Sequence, residues 1–429
     1  MSSEIGSCRR PWTDGVLAGS QLFLLATASY LLGWGNSWSG QLEALSNVCL
    51  FLSLLYMIGS FVTPGSQAGF SIGEVVLLIL VTAYIALSVF LNVPSQDVRG
   101  NVFINNPVWW GCFSKMCLAA ALLGTRASGG RAGMFLIAAF GFGSFSLAMF
   151  FTGYTLIVPG KHVVDAVFNP LDGYQINRAG VMSLVVLFPL FLATLMFYAT
   201  ARNSRTYWAA LGLLYAISSG IGFVFESRSV FVLLYSLLPL MVLALLGKKT
   251  WTDIKTTFVF LSTLTIFLVS LGILFSNLKR PVSAVLFEDP RFAMGFSFLK
   301  QFVSSPLRHA QMTSEMQILA GSHYYHNFFA DADRLSGFWS LLAACALLGY
   351  VGIRILQLSF ACAEGRVLLF MYLPVLLILN TTVVPEGEFQ PILLAILLGG
   401  IAESIFRQMR ADAKRLRINV SRSEVLKAV

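Results

Sequence analysis

Apolar runs long enough to span a bilayer recur along almost the whole of this chain, and no other feature restricts its fold so strongly. A helix needs about 20 mostly apolar residues to cross a hydrocarbon core about 30 Å thick. Windows of that kind, bounded by Gly, Pro, Asn or charge, lie near 15–34, 42–62, 70–91, 107–124, 132–151, 179–199, 206–225, 229–247, 256–276, 336–361, 367–383 and 390–406. They predict an all-α, polytopic membrane protein of about twelve transmembrane helices, because an isolated segment in lipid can satisfy its backbone only as a helix. With 57% hydrophobic and 11% charged residues, a single soluble domain, disorder and coiled coil are all excluded. The net charge of +9 does not mark a nucleic-acid binder, since seven of the 29 Lys and Arg fall in the last 23 residues.

Cations in short loops gather on the cytoplasmic side. Twelve spans with the N-terminus inside put Arg9, Arg10, Arg126, Arg131, Arg202, Arg205, Lys248, Lys249, Lys255, Arg366 and the seven tail cations on that side. This distribution predicts an N-in, C-in topology. The apolar run after Arg9-Arg10 passes Ala26-Thr27-Ala28 and continues through Leu32, which argues for a span over a cleaved signal peptide. The chain then divides into helices 1–9 over 1–276, a large periplasmic loop over 277–335, helices 10–12 over 336–406 and a basic cytoplasmic tail over 407–429.

Polar chemistry concentrates in two outer loops. The first, 152–178, carries Lys161, His162, Asp165, Asp172 and Arg178; the second, 277–335, holds His309, His323 and His326. Within the second, Glu288-Asp289-Pro290-Arg291 reads as a helix start, with Asp289 as N-cap and Pro290 at the first helical position. Phe292, Phe296, Leu299 and Val303 follow at helical spacing and predict an amphipathic helix lying in the outer interface. Its N-terminal amides and Arg291 suit a phosphate, although Arg291 could equally pair with Glu288. In the tight turn Glu226-Ser227-Arg228-Ser229, two opposite charges at membrane depth suggest function, or a local ion pair that fixes topology. His323 and His326 have a metal-ligand spacing but no third ligand, so no metal is expected. A neutral histidine can instead take a proton from a sugar hydroxyl, or sit in an aromatic interface belt.

These residues together resemble the O-antigen ligase and O-antigen polymerase superfamily of lipid-linked sugar transferases. The resemblance rests on Ser227-Arg228-Ser229, on Arg291 with Ser305-Pro306-Leu307 downstream, and on His326-Asn327-Phe328-Phe329 with Gly337 downstream. It covers about residues 170–360. It implies a glycosyltransferase of the bacterial inner membrane that moves a glycan from an undecaprenyl-diphosphate carrier to an acceptor glycolipid, in the manner of the ligases, or to a growing polysaccharide, in the manner of the polymerases. Arg228 and Arg291 then hold the diphosphate and His326 takes the acceptor proton, with Glu226 as the other catalytic candidate. Arg178, His323 and Asn327 join the substrate-binding set. Where family members often carry a Gly-rich stretch after the Pro-Leu, this chain has Arg308-His309-Ala310. The donor brings its own activation, so no cofactor, nucleotide or nucleic-acid partner is expected; membrane lipids are. A secondary transporter is the rival class, with Lys115 and Glu74 as its buried charges.

Overall fold

The computed structural model describes residues 14–32, 39–62, 70–91, 95–96, 102–103, 107–126, 130–158, 166–171, 175–176, 178–198, 205–225, 290–311, 327–381 and 390–428, with single positions at 173, 227, 230, 234, 313, 314 and 325. In chain order the helices are α1 (Asp14–Leu32), α2 (Ser39–Val62), α3 (Ile72–Phe90), α4 (Pro107–Arg126), α5 (Gly130–Ile157), α6 (Arg178–Tyr198), α7 (Arg205–Val224), α8 (Pro290–Ser304), α9 (Phe328–Ala361), α10 (Ala363–Thr381) and α11 (Gln390–Ala428). Two antiparallel hairpins interrupt them: β1 (Ser95–Gln96) pairs Ser95 with Phe103 of β2 (Val102–Phe103), and β3 (Val167–Phe168) pairs Val167 with Ile176 of β4 (Gln175–Ile176). The protein has an all-α, multi-span membrane fold.

The expectation of twelve transmembrane helices does not hold. Among the described residues five helical segments are long and apolar enough to cross a membrane: Gly40–Gly59, Ile72–Phe90, Phe135–Ile157, Phe328–Ala361 and Gln390–Ala413. Val16–Tyr30 and Gly212–Val224 are shorter apolar helices. The windows at 107–124, 179–199 and 367–383 do form α4, α6 and α10, but much of their apolar surface is turned against protein. Ala119, Ala120, Ala121 and Leu123 of α4 are fully buried, as are Leu184 to Leu187 of α6. An apolar run reads alike whether it becomes a full spanning helix or a shorter one, so a count of apolar windows is not a count of crossings. The N-in, C-in assignment, derived from twelve crossings, falls with that number. The windows at 229–247 and 256–276 lie outside the described residues.

The 277–335 segment contains the helix expected within it and also the start of the next. Residues 290–304 are helix, and α9 begins at Phe328, so 328–335 are the first turns of a 34-residue helix. Asn327 caps that helix, its side-chain oxygen accepting from the amides of Phe329 (3.0 Å) and Ala330 (3.2 Å). At the other terminus, the basic segment after 406 continues α11 unbroken to Ala428.

Small residues and interhelical hydrogen bonds hold the helices together, as expected where lipid removes the hydrophobic drive. Ser53 donates to the Gly19 carbonyl (2.7 Å), Tyr372 to the Leu348 carbonyl (2.6 Å) and Ser336 to the Ser88 carbonyl (2.8 Å), while the Ser88 and Ser340 hydroxyls meet at 2.8 Å. These serines join the start of α9 to the end of α3. Roughly 20 Å further along α9, Tyr350 donates to the Gly73 carbonyl at the start of α3 (3.0 Å) and to Glu403 of α11 (2.8 Å). Helices α3 and α9 are therefore antiparallel, and the bundle has two chemically distinct ends.

The end at Tyr350 is tied by charge. Arg354 makes a two-pronged contact with the buried Glu403, and Arg407 pairs with the buried Glu74 at 2.9 Å while donating to the Thr125 carbonyl. Glu74 also closes a capping box with Ser71 at the start of α3. Gly124 and Gly400 let α4 and α11 touch backbone to backbone: a Cβ on Gly400 would lie 2.8 Å from the Gly124 Cα.

Candidate functional site

The other end carries the polar cluster that the fold builds around the start of α9. Asp331 is fully buried and organises it. One carboxylate oxygen accepts from the Tyr325 amide (3.0 Å) and from Arg334 Nε (3.0 Å), and the other from the Asn327 amide (3.4 Å). The residues on either side of His326 are thus both anchored to one buried carboxylate. Asp331 and Arg334 form a buried ion pair in which each charge has its counterion and the carboxylate has further donors.

Two residues on, Asp333 is also buried and accepts from the Ala310 amide at 3.0 Å, which pins the segment after α8 to α9. His309, next in sequence, is half-buried, with its ring over Gly337. That glycine has φ +75° and ψ −175° and breaks the helical path of α9. Few residues other than glycine adopt this conformation, and a Cβ there would stand 3.1 Å from the imidazole.

Helix α8 lies over this cluster. Met294 is buried against Tyr325, Ala310 and Ala330, Phe298 packs edge-on to Tyr325 (5.9 Å between ring centroids), and Phe302 stacks on Phe338 (6.1 Å). Gln301 staples the turn that follows, accepting from the Gln311 amide (2.9 Å) and donating to its carbonyl (2.8 Å). The opposite face leaves Phe296, Leu299 and Val303 exposed, the last at 81%. An amphipathic helix begins at Pro290 as expected, but a second apolar face, unread in the sequence, docks it on the bundle. The Tyr325 phenol is pushed up to about 12, first by burial and then by the Asp331 carboxylate, and stays protonated at neutral pH.

The predicted site residues fare unequally. Asn327 is the cap of α9 and belongs to the cluster. Arg291 sits in the first turn of α8, three and seven residues before Met294 and Phe298, so its register position falls on the docked face. Arg178 is the first residue of α6. His326, His323, Glu226 and Arg228 lie outside the described residues, as does Asp289. Between Glu226 and Arg228, the buried Ser227 donates its amide back to the Gly222 carbonyl (2.7 Å), beyond the end of α7. Neither rival charge is solitary: Lys115 donates to Asn47 of α2 (2.8 Å), and Glu74 pairs with Arg407. Sequence reasoning did not select His309, Asp333, Arg334 or Tyr325. The signal for them was present as three charges within four residues at the edge of an apolar window, with a glycine three residues beyond. Among the described residues no group of three or more acidic, His or Cys side chains could hold a metal.

No family model matches this chain, and no curated protein matches it either.

Proposed function

We propose that this chain is a glycosyltransferase of the bacterial inner membrane, moving a glycan from an undecaprenyl-diphosphate carrier to an acceptor sugar in the manner of an O-antigen ligase. The observation that carries the reading is the docking of α8 over the start of α9. It brings the register position of Arg291 to the same end as Tyr325 and Asn327, which flank His326 and are tied to Asp331. The apolar face of α8 that remains exposed suits the boundary between lipid tails and headgroups, where a polyprenyl carrier presents its diphosphate.

The chemistry asks little of the protein. The acceptor oxygen attacks the anomeric carbon, the bond from that carbon to the phosphate oxygen breaks with its electron pair leaving on the diphosphate, and the hydroxyl proton passes to a base. Arg228 and Arg291 neutralise the diphosphate, with Arg178, His323 and Asn327 completing the substrate contacts; His326 is the base that the family resemblance suggests, with Glu226 as the carboxylate alternative. A repeat-unit polymerase uses the same donor chemistry and differs in its acceptor. The transporter reading has less support, since Lys115 and Glu74 are engaged in contacts between helices.

The test is transfer in vitro from a defined undecaprenyl-diphosphate repeat unit, with lipid A core and a second repeat unit offered as acceptors. A product on lipid A core supports the ligase reading, one on the repeat unit the polymerase, and no product with either removes both. Because Lys cannot reproduce the bidentate fork of Arg, Arg228→Lys and Arg291→Lys should each lose most of the transfer activity while membrane insertion and thermal stability are kept. Full activity in both variants would reduce these arginines to surface ion pairs.

A further inference from the structure

At the end of the bundle away from Asp331, arginines from three helices gather around the start of α3. Arg407 of α11 pairs with Glu74 at 2.9 Å and donates to the Thr125 carbonyl at 2.9 Å, so its guanidinium lies where the first turn of α3 meets the last turn of α4. Arg126, which follows Thr125 and ends α4, stands over the ring of Phe70, 5.0 Å from its centroid. Phe70 immediately precedes Ser71, the N-cap of α3. Two guanidiniums therefore flank one helix start. Arg354 of α9 is the third, held on Glu403, whose carboxylate lies against Gly73 of the same turn.

The charges gathered there do not balance. Glu74 and Glu403 are both buried and both committed, Glu74 to Arg407 and the Ser71 amide (2.7 Å), Glu403 to Arg354 and the Tyr350 hydroxyl. Three guanidiniums against these two carboxylates leave a positive excess, and Arg410, exposed one turn after Arg407, adds to it. Cations at the edge of a membrane helix bundle draw a counterion to themselves. The site is open to one: the Arg407 side chain is 23% exposed and Phe70 is 41% exposed. From the same helix start, Ile72, Val75 and Ile79 form an exposed apolar stripe along α3 at helical spacing. The spanning segment of α3 begins at Ile72, so the arginines stand at headgroup depth and the stripe runs on into acyl-chain depth.

We propose that Arg126 and Arg407 bind the phosphate of an anionic phospholipid whose acyl chain lies along Ile72, Val75 and Ile79. Guanidiniums on two sides suit a phosphate, which accepts their paired N–H groups, and basic pockets between membrane helices hold anionic headgroups. A headgroup with net negative charge answers the excess at this end, whereas a choline ammonium would bring a further cation to it. The lipid joins α3, α4 and α11 at the opposite end from the candidate transferase site, and the inference does not depend on sugar transfer.

The experiment titrates purified full-length protein in detergent with phosphatidylglycerol, phosphatidylcholine or inorganic phosphate, counting bound lipid by native mass spectrometry and following the thermal midpoint. Phosphatidylglycerol should bind more tightly than phosphatidylcholine and raise the midpoint more. One basic side chain at an anionic surface is worth about a fivefold change in affinity. Arg126→Gln should therefore weaken phosphatidylglycerol binding by about that factor and leave phosphatidylcholine unchanged, while Arg126→Lys, which keeps the charge, should lose less. Equal binding of the two lipids, or wild-type affinity for phosphatidylglycerol in folded Arg126→Gln, overturns the inference. Displacement of phosphatidylglycerol by inorganic phosphate at equal concentration assigns the site to a free anion and overturns it as well. Should Arg126→Gln fail to fold, cryo-electron microscopy of the unaltered protein in phosphatidylglycerol nanodiscs decides: headgroup density against both guanidiniums supports the lipid, and none there overturns it.

Discussion

At the scale of single residues, Asp331 shows how one buried side chain can organise a site without reacting in it. Its two oxygens hold the amides that flank His326 and the guanidinium of Arg334. Breaking a buried ion pair by removing one charge typically costs about 3–5 kcal/mol, because the remaining charge is left without a counterion. Asp331→Asn should therefore lower the thermal midpoint of the purified protein and speed amide exchange at Tyr325 and Asn327. Unchanged exchange at both amides would mean that the carboxylate does not anchor them. In the sequence Asp331 stood as a charge near an apolar window, and its anchoring role depends on Tyr325, six residues earlier, folding back over it. His309 was harder to read. It stood out only as a departure from a family pattern, and its place depends on Gly337, 28 positions further on, adopting a conformation that no local motif announces.

At the scale of elements, the helices were easier to locate than to terminate or orient. Pro290 marks the start of α8 because proline is pre-set for a first helical turn and gives up no needed donor. The face of α8 that meets the bundle was not recoverable, since apolar residues recur on both sides: Phe296, Leu299 and Val303 point away and Met294 and Phe298 pack inward. Periodicity identifies an apolar stripe and cannot say which of two stripes finds a partner. The α4–α11 contact makes a sharper test of element packing. A Cβ on Gly400 would come within 2.9 Å of the Ala121 carbonyl oxygen as well as against Gly124, and backbone cannot move aside as a side-chain tip can. Overpacking a close contact costs typically 1–3 kcal/mol, occasionally more. Gly400→Leu should sit at or above the top of that range, read as a fall in thermal midpoint. Gly40→Leu, at a glycine with open space around it, should leave the midpoint near wild type. Equal effects from the two substitutions would show that α4 and α11 do not meet there.

For the whole molecule, the two ends of the bundle make a prediction about sidedness. Helix α9 runs from the Asp331 cluster to the Arg354–Glu403 contact, and α11 continues past that contact to Ala428. A reporter inserted after Lys300 and one fused after Val429 should therefore fall on opposite sides of the membrane; reporters on the same side would contradict the course of these helices. That the protein is helical and lives in a membrane was determined by the sequence alone, because burying the backbone of a mostly apolar chain in lipid leaves the helix as the way to satisfy it. The proposal of lipid-linked glycan transfer rests on residue order. Where each apolar window begins and ends as a helix was decided by the tertiary structure, since hydropathy marks a run and not its termini. So was the meeting of His309 with Gly337 and of the Ala310 amide with Asp333: these contacts are made by the path of the chain between α8 and α9, and hydropathy carries no information about which polar groups that path brings together.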